Sequence, residues 1–459
     1  MGASFYFGGG SSETSATPLS LAILLAAAIL ICVLPRNRVI IPVLLAAMML
    51  PSGQSLVIAG VHFMPARLVA IAGWVRILAE KLISGKRLFA IPLNAIDSAC
   101  SWGFVFGAAA FITAWAEMPA VINQCGGLLG TVVLFLLLRA LIEDESSVRA
   151  AFGCLAVVCI LNSVEMAYEL QRGQNLFGTY LGGVSPVSAV RDGRIRAQGV
   201  FGHAILAGTF GATCMPLFAF LWNYKAKFLA LAGAAASLVM IYTSASSTPV
   251  LGLLAAAIAL PCWTIRKNMR LIRIGIVCFL IMAQLFMNAP VWFLIARMDV
   301  IGSSSGYHRA MLVDVFFNHL PDWWLVGTRD RGDWGWDMWD VDNEYVAKGE
   351  GGGLITLFLF LALLTRLFRQ LGNTRKLVPD DRKSQWGLWL LGSALFSHVI
   401  SFFGASYWDQ NQVSWLAFIA VICAFTSIVS NKTAAEPLPE TAPVESEWKW
   451  AALAAAERG

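Results

Sequence analysis

Charge is scarce in this sequence. Only 13% of its 459 residues are Asp, Glu, Lys or Arg. That is about half of what a soluble domain carries, so a soluble globular protein is excluded and a polytopic membrane protein is expected. The formal charge of +5 is small and spread over many connections, which argues against a nucleic-acid partner. Nine cysteines occur, yet none stands in a CxxC or Cys/His ligand spacing. Cys32, Cys154, Cys159, Cys278 and Cys423 lie inside apolar runs and read as small packing residues, so neither a zinc site nor a disulfide framework is expected. No basic n-region precedes Leu21, so no cleaved signal peptide is expected. Position six lacks the Ser or Thr of an acylation signal.

What the chain has instead is apolar sequence, 58% of its residues. A span needs roughly 20 apolar residues, fewer where a helix is tilted or buried by others. Thirteen segments qualify: 18–34, 39–50, 57–75, 94–115, 122–142, 150–168, 203–222, 228–243, 248–264, 272–289, 353–366, 387–405 and 412–429. The second is short and the third carries Arg67. Lys and Arg collect on alternate connections: Arg36 and Arg38; Arg76, Lys81, Lys86 and Arg87; Lys225 and Lys227; Arg266, Lys267, Arg270 and Arg273; and Arg366 to Lys383. By the positive-inside rule these are cytoplasmic, which leaves two long outward loops, 169–202 and 290–352. The chain then divides into a short N-terminal tail (1–17), a transmembrane body (18–430) and a Pro/Glu/Thr-rich cytoplasmic tail (431–459) expected to be disordered, apart from a short helix that 448–458 could form. It has no internal repeat and no second, soluble domain.

Both outward loops carry arginines, against the topological trend, so these arginines need another reason. The first loop reads R-D-G-R-I-R-A-Q-G-V-F-G-H over 191–203. Arg191, Arg194 and Arg196 are cations at a membrane surface, where a guanidinium fork can hold phosphate oxygens at any relevant pH. The alternative is arginines that merely touch lipid headgroups. His203, at a helix start, is a cap or interface residue before it is a base. The second loop contains G-Y-H-R-A-M-L-V-D-V-F-F-N-H-L over 306–320, with Met311, Leu312, Val315, Phe316 and Leu320 at helical spacing. This predicts an amphipathic helix along the membrane surface with Arg309 in its first turn, facing a ligand or paired with an acid such as Asp299. Further on, W-D-V-D-N-E-Y-V places Asp340, Asp342 and Glu344 in alternation before Gly351-Gly352-Gly353. One of these acids near an apolar ceiling could serve as a general base, although acidic runs are commonly just solvated. Trp323, Trp324, Trp334, Trp336 and Trp339 fit either an interfacial belt or stacking platforms for sugar rings. Within the spans, Arg139 reads as structural and Glu165 as a residue that could line the same cavity.

The order of these features resembles the O-antigen ligase and Wzy-type polymerase superfamily of bacterial envelope polysaccharide assembly. The resemblance runs over roughly 60–430 and rests on R-x-R-x-Q-G-x-F-x-H-x-x-x-x-G at 194–208, the arginine-bearing helix at 309, P-D-W-W-L-V-G at 321–327 and D-N-E-Y at 342–345. It implies an all-α membrane glycosyltransferase of GT-C type with amphipathic helices in a large periplasmic loop. Such an enzyme sits in the inner membrane with its active site facing the periplasm, and uses no metal ion or other cofactor. Its donor is an undecaprenyl-diphosphate-linked oligosaccharide, and its partners are membrane lipids and proteins of chain-length control or export. Carried over, Arg194 or Arg196 and Arg309 hold the diphosphate, with Arg191 and His203 beside them. Asp342-Asn343 stands where the family has His-Asn, so Asp342 becomes the base and Asn343, Tyr345, Trp336 and Trp339 substrate-binding residues. An aspartate cannot stabilise leaving-group charge as an imidazolium would, which leaves the subgroup open. A polymerase is favoured over a ligase that uses lipid A-core as acceptor. From other classes, a lipid-linked oligosaccharide transporter and a non-catalytic scaffold of an export complex stand as alternatives.

Overall fold

The computed structural model describes residues 14–58, 61–298, 305–335, 338 and 341–435. Asp299, Trp336, Trp339, Asp340, the start of the N-terminal tail and residues 436–459 lie outside the described residues.

The chain is an all-α membrane protein. Helices α1 (Pro18–Val33), α2 (Ile40–Met49) and α3 (Pro65–Ser84) are followed by α4 (Ala95–Trp115). Next, α5 (Met118–Leu128) runs through a π-turn at Leu129–Val133 into α6 (Leu134–Leu141), and α7 spans Glu145–Arg172. After the short α8 (Leu176–Tyr180) come α9 (Ala204–Asn223), α10 (Lys227–Thr243), α11 (Ser247–Ala259) and α12 (Met269–Phe286). The long loop holds α13 (Ser305–Asn318) and α14 (Leu320–Trp323), and α15 (Glu344–Leu377), α16 (Arg382–Ser401) and α17 (Asp409–Ala435) complete the body. Each of the thirteen apolar segments contributes residues to a helix. Among the described residues, seven helices are long and apolar enough to cross a membrane on their own, and α1, α10 and α11 are shorter apolar helices.

The starts follow local chemistry. Proline stands in the first turn of α1, α3 and α5, where its missing N–H costs nothing. Asn94 and Asp144 close reciprocal capping boxes at α4 and α7. Three boundaries differ from the sequence reading. Residues expected to begin the third span form a hairpin, β1 (Leu56–Ile58) with β2 (Val61–Phe63), because the helix begins only at Pro65. The span expected over 353–366 belongs to a helix that starts at Glu344 and breaks at Gly353, whose φ of 75° only glycine adopts readily. At the other end, α17 extends to Ala435, past the expected start of the tail.

Nearly every residue of α9 is buried, packed by α7, α10, α11 and α16, and α17 is similarly enclosed. No residue of α12 is buried, so in a bilayer lipid covers its apolar surface. The connections separate to two ends. At the basic end, Arg36 pairs with Glu143 at 2.6 Å and with Glu80, and Lys432 with Glu145. At the other end, the Gln410 amide donates to Leu50 O and Val200 O, and the start of α1 bonds to Gln54 and Leu181. This second end carries both long loops.

Candidate functional site

Arg191, Arg194 and Arg196 belong to a hairpin, β3 (Ala189–Arg191) against β4 (Arg194–Arg196). Asp192 and Gly193 make its turn at φ of 51° and 73°, the left-handed pair that an Asp-Gly dipeptide supplies. The register sets Arg191 opposite Arg194 and Ala189 opposite Arg196. Alternation therefore puts all three arginines on one face and Ile195 on the other. The chain after β4 is pinned down. Ala197 N donates to Thr243 O, Gln198 N and Gly199 N both donate to Glu169 Oε2 at 3.0 Å, and Val200 N donates to Asn162 Oδ1. Arg191 and Arg194 remain exposed, while Arg196 is carried under the surface, 8% exposed.

Beneath the surface Arg196 meets residues the sequence reading passed over. Its Nη2 donates to Ser246 Oγ at 2.7 Å, and Ser246 Oγ in turn donates to Ser244 O. Ser246 is the N-cap of α11. Two residues on, Thr248 Oγ1 donates to Gly404 O at 2.8 Å. A methyl group at Gly404 would collide with Thr248 Oγ1 and lie 3.1 Å from Arg309 Nε. Arg309, buried on α13, therefore lies near Thr248, two residues from the Ser246 that Arg196 touches.

Asp342 completes the cluster. Its carboxyl is partly buried, and burial pushes its pKa above the ordinary carboxylate value. Arg309, His308, Arg196 and Arg191 act in the opposite direction, in that order of strength. The guanidinium of Arg196 is shifted down by burial and by its neighbours Arg191 and Arg309, against the pull of Asp342. The structure thus brings Arg196, Arg309 and Asp342 together from three distant stretches, with Arg191 at the rim. Such a site can hold an anion on two guanidiniums beside a carboxylate able to take a proton. Among the described residues, no group of three or more His, Cys, Asp or Glu side chains is placed to hold a metal ion.

Other expected site residues have structural work instead. Asn343 Oδ1 accepts from Tyr345 N and Val346 N, so this side chain caps α15, and its Nδ2 has no partner among the described residues. The Tyr345 hydroxyl donates to Val399 O at 3.0 Å and its ring packs on Phe360, Phe402 and Phe403. His203 is the N-cap of α9, its Nδ1 accepting from Ile205 N. Trp323 stacks on Phe316 with ring centroids 3.9 Å apart and, with Trp334 and Leu312, forms a small core under the long loop. Both tryptophans are buried and cannot be sugar platforms, whereas Trp324 is about half exposed. The helix carrying Arg309 buries Leu312 and Phe316 in that core but leaves Leu320, beyond its end, on the surface.

A cavity of about 490 Å³ opens beside this cluster, between α3, α4, α5, α15 and α17. Its wall is mostly apolar, with small residues at Gly103 and Gly107 and a ring at Phe104, and Arg67, Lys348 and Asp409 also line it. Glu344 links the two places. It lines the cavity, pairs with Lys348 at 2.9 Å and accepts from Tyr407 N, and it lies two residues from Asp342. Glu165 does not line the cavity. It is buried and accepts from Leu176 N at 2.9 Å, which fastens α8 to α7.

Compared with known proteins, the chain matches no family model and no curated protein.

Proposed function

We propose that this multi-pass membrane protein is a glycosyltransferase of GT-C type, a polysaccharide polymerase that uses an undecaprenyl-diphosphate-linked oligosaccharide as donor. In this reading it works at the periplasmic face of a bacterial inner membrane. One observation carries the reading: Arg196 and Arg309, from separate loops, lie near one helix end and both act on the carboxyl of Asp342. The acceptor hydroxyl oxygen bonds to the anomeric carbon from the face opposite the leaving group, so the configuration inverts. The bond from that carbon to the phosphate oxygen breaks, and its electron pair leaves on the diphosphate. Asp342 takes the hydroxyl proton, and the guanidiniums oppose the charge that grows on the leaving oxygen. Partial burial strengthens each of these interactions, because fewer waters screen them. A ligase acting on lipid A-core would use the same groups and differ only in acceptor.

A second reading, a transporter of a lipid-linked oligosaccharide, has its own support: the cavity between spans and the break of α15 at Gly353 are features transporters use. Purified protein incubated with the lipid-linked donor and excess chelator separates the two. The polymerase reading expects a ladder of longer chains, lost in Arg309→Ala and Asp342→Asn. Elongation untouched by both substitutions removes the site, and no elongation by the wild type returns weight to the transporter.

A further inference from the structure

At the basic end, two arginines from distant stretches of the chain are gathered by three tryptophans. The guanidinium carbon of Arg266 lies 3.9 Å from the centroid of the Trp263 ring, and that of Arg375 lies 5.7 Å from Trp389. Trp263 in turn meets Trp386 and Trp389 edge-on, with centroids 5.1 and 6.0 Å apart. Hydrogen bonds lock the group. Arg375 Nη2 donates to Arg266 O at 3.1 Å, Arg266 Nη1 to Trp263 O, and Trp389 Nε1 to Ala259 O. A guanidinium carries about five N–H donors, so these bonds leave most of them to water or a ligand.

No acid answers this charge. Among the described residues, neither arginine has a carboxylate within 4.0 Å, and neither do Lys267, Arg270, Arg273 and Lys376 nearby in sequence. A lone arginine that snorkels to the interface needs only water above it. Two that are half-buried and held together on aromatic faces repel each other, and an anion forked by both relieves the repulsion. The apolar surface that an amphiphile needs lies next to them. The turns that carry Arg266, Pro261–Asn268, lead straight into α12. That helix meets the rest of the chain mainly through the short turns at its two ends, and none of its residues is buried. Bilayer lipid therefore lines every side of it, the side nearest the bundle included.

We propose that Arg266 and Arg375 form a site for the phosphate of an anionic phospholipid whose acyl chains run along α12. The tryptophans seat the two guanidiniums, and the bare helix receives the chains. The site also reaches the opposite end of the molecule. Beyond α12, in Val291–Met298, Trp292 Nε1 donates to Asp314 Oδ1 on α13 at 3.2 Å, and its ring lies 5.2 Å from Phe317. Helix α13 carries Arg309, so a lipid that steadies α12 steadies the mounting of that arginine. Lipid binding itself does not depend on the polymerase reading; only this last consequence does.

The test is native mass spectrometry of the full-length protein, released from nanodiscs that hold phosphatidylglycerol and phosphatidylcholine in equal amounts. Monomeric protein that retains phosphatidylglycerol in preference to phosphatidylcholine is expected. Arg266→Gln combined with Arg375→Gln should weaken that binding by about tenfold or more. Lys267→Gln combined with Arg270→Gln removes the same charge away from the tryptophans and should stay within about threefold of wild type. Thermal unfolding supplies a second readout. Phosphatidylglycerol should raise the wild-type midpoint above its value in pure phosphatidylcholine, and should not raise that of the Arg266/Arg375 double variant. Because each shift is read within one protein, a double variant that folds less stably still decides the matter. No preference of the wild type for the anionic lipid overturns the proposal. Equal losses in the two double variants overturn it too, since they mark diffuse attraction in place of a site. A dimer released without lipid does the same and assigns the bare face of α12 to a second copy of this chain.

Discussion

Two buried arginines of this protein make opposite arrangements. Arg139, 1% exposed, forks Asp97 with Nε to Oδ1 at 2.6 Å and Nη2 to Oδ2 at 3.1 Å, and adds a bond to Pro92 O. Arg196 is buried nearly as well, yet its Nη2 donates to a serine hydroxyl. Asp97 also caps α4, so the first pair ties two helices together at the basic end. A guanidinium met by its own carboxylate has finished its task when the chain folds. One that bonds a neutral hydroxyl, with its nearest acid, Asp342, acting only through its charge, has a task left over, and that difference separates scaffold from site.

The comparison can be broken in several ways. Asp97→Ala leaves Arg139 buried without its partner and should cost about 3–5 kcal/mol, read as a collapse of the thermal unfolding midpoint in detergent. Arg196→Met should cost much less, because this cation bonds a neutral hydroxyl and no carboxylate forks it in the folded chain. Equal losses in the two variants would erase the distinction. In elongation assays the order reverses: Arg196→Met and Arg309→Ala should each lower turnover by about 100- to 1,000-fold, the range for one preorganised group opposing transition-state charge.

A smaller effect sharpens the role of Asp342. A base must be ionised, and burial raises the pKa of this carboxyl, so turnover should fall as pH drops, with the acid limb above the ordinary carboxylate range. Arg191 pulls that pKa down, so Arg191→Gln should move the limb to higher pH, measured on kcat/KM. A limb that stays in place assigns the proton to another group. The smallest change is expected at Asn343→Ala, which removes the α15 cap and should cost about 1 kcal/mol in chemical denaturation, by contrast with a residue that binds substrate alone.

The spans were legible because the bilayer imposes one demand, about 20 apolar residues, on each of them. Local backbone signals were also present. Asp192-Gly193 announces the hairpin that fixes Arg196, although the arginines draw the eye first. The role of Ser246 and Thr248 was not legible, since a short run of small hydroxyl residues between two apolar helices looks like any turn. Only the tertiary approach of β4, α13 and the 402–408 loop gives it meaning. The tryptophans misled for the opposite reason. Trp323 and Trp334 sit in a polar, acid-rich loop, but that loop is long enough to build a core of its own and they fill it.

The 402–408 loop behaves as a lever. One arm is clamped to α15, with Glu344 N donating to Phe402 O and Tyr407 N donating to Glu344 Oε2. The other arm, at Gly404, bears on Thr248 and lies beside Arg309. Glu344 also faces the cavity. Through this one short loop the wall of the cavity is tied to the helix end where the arginines gather.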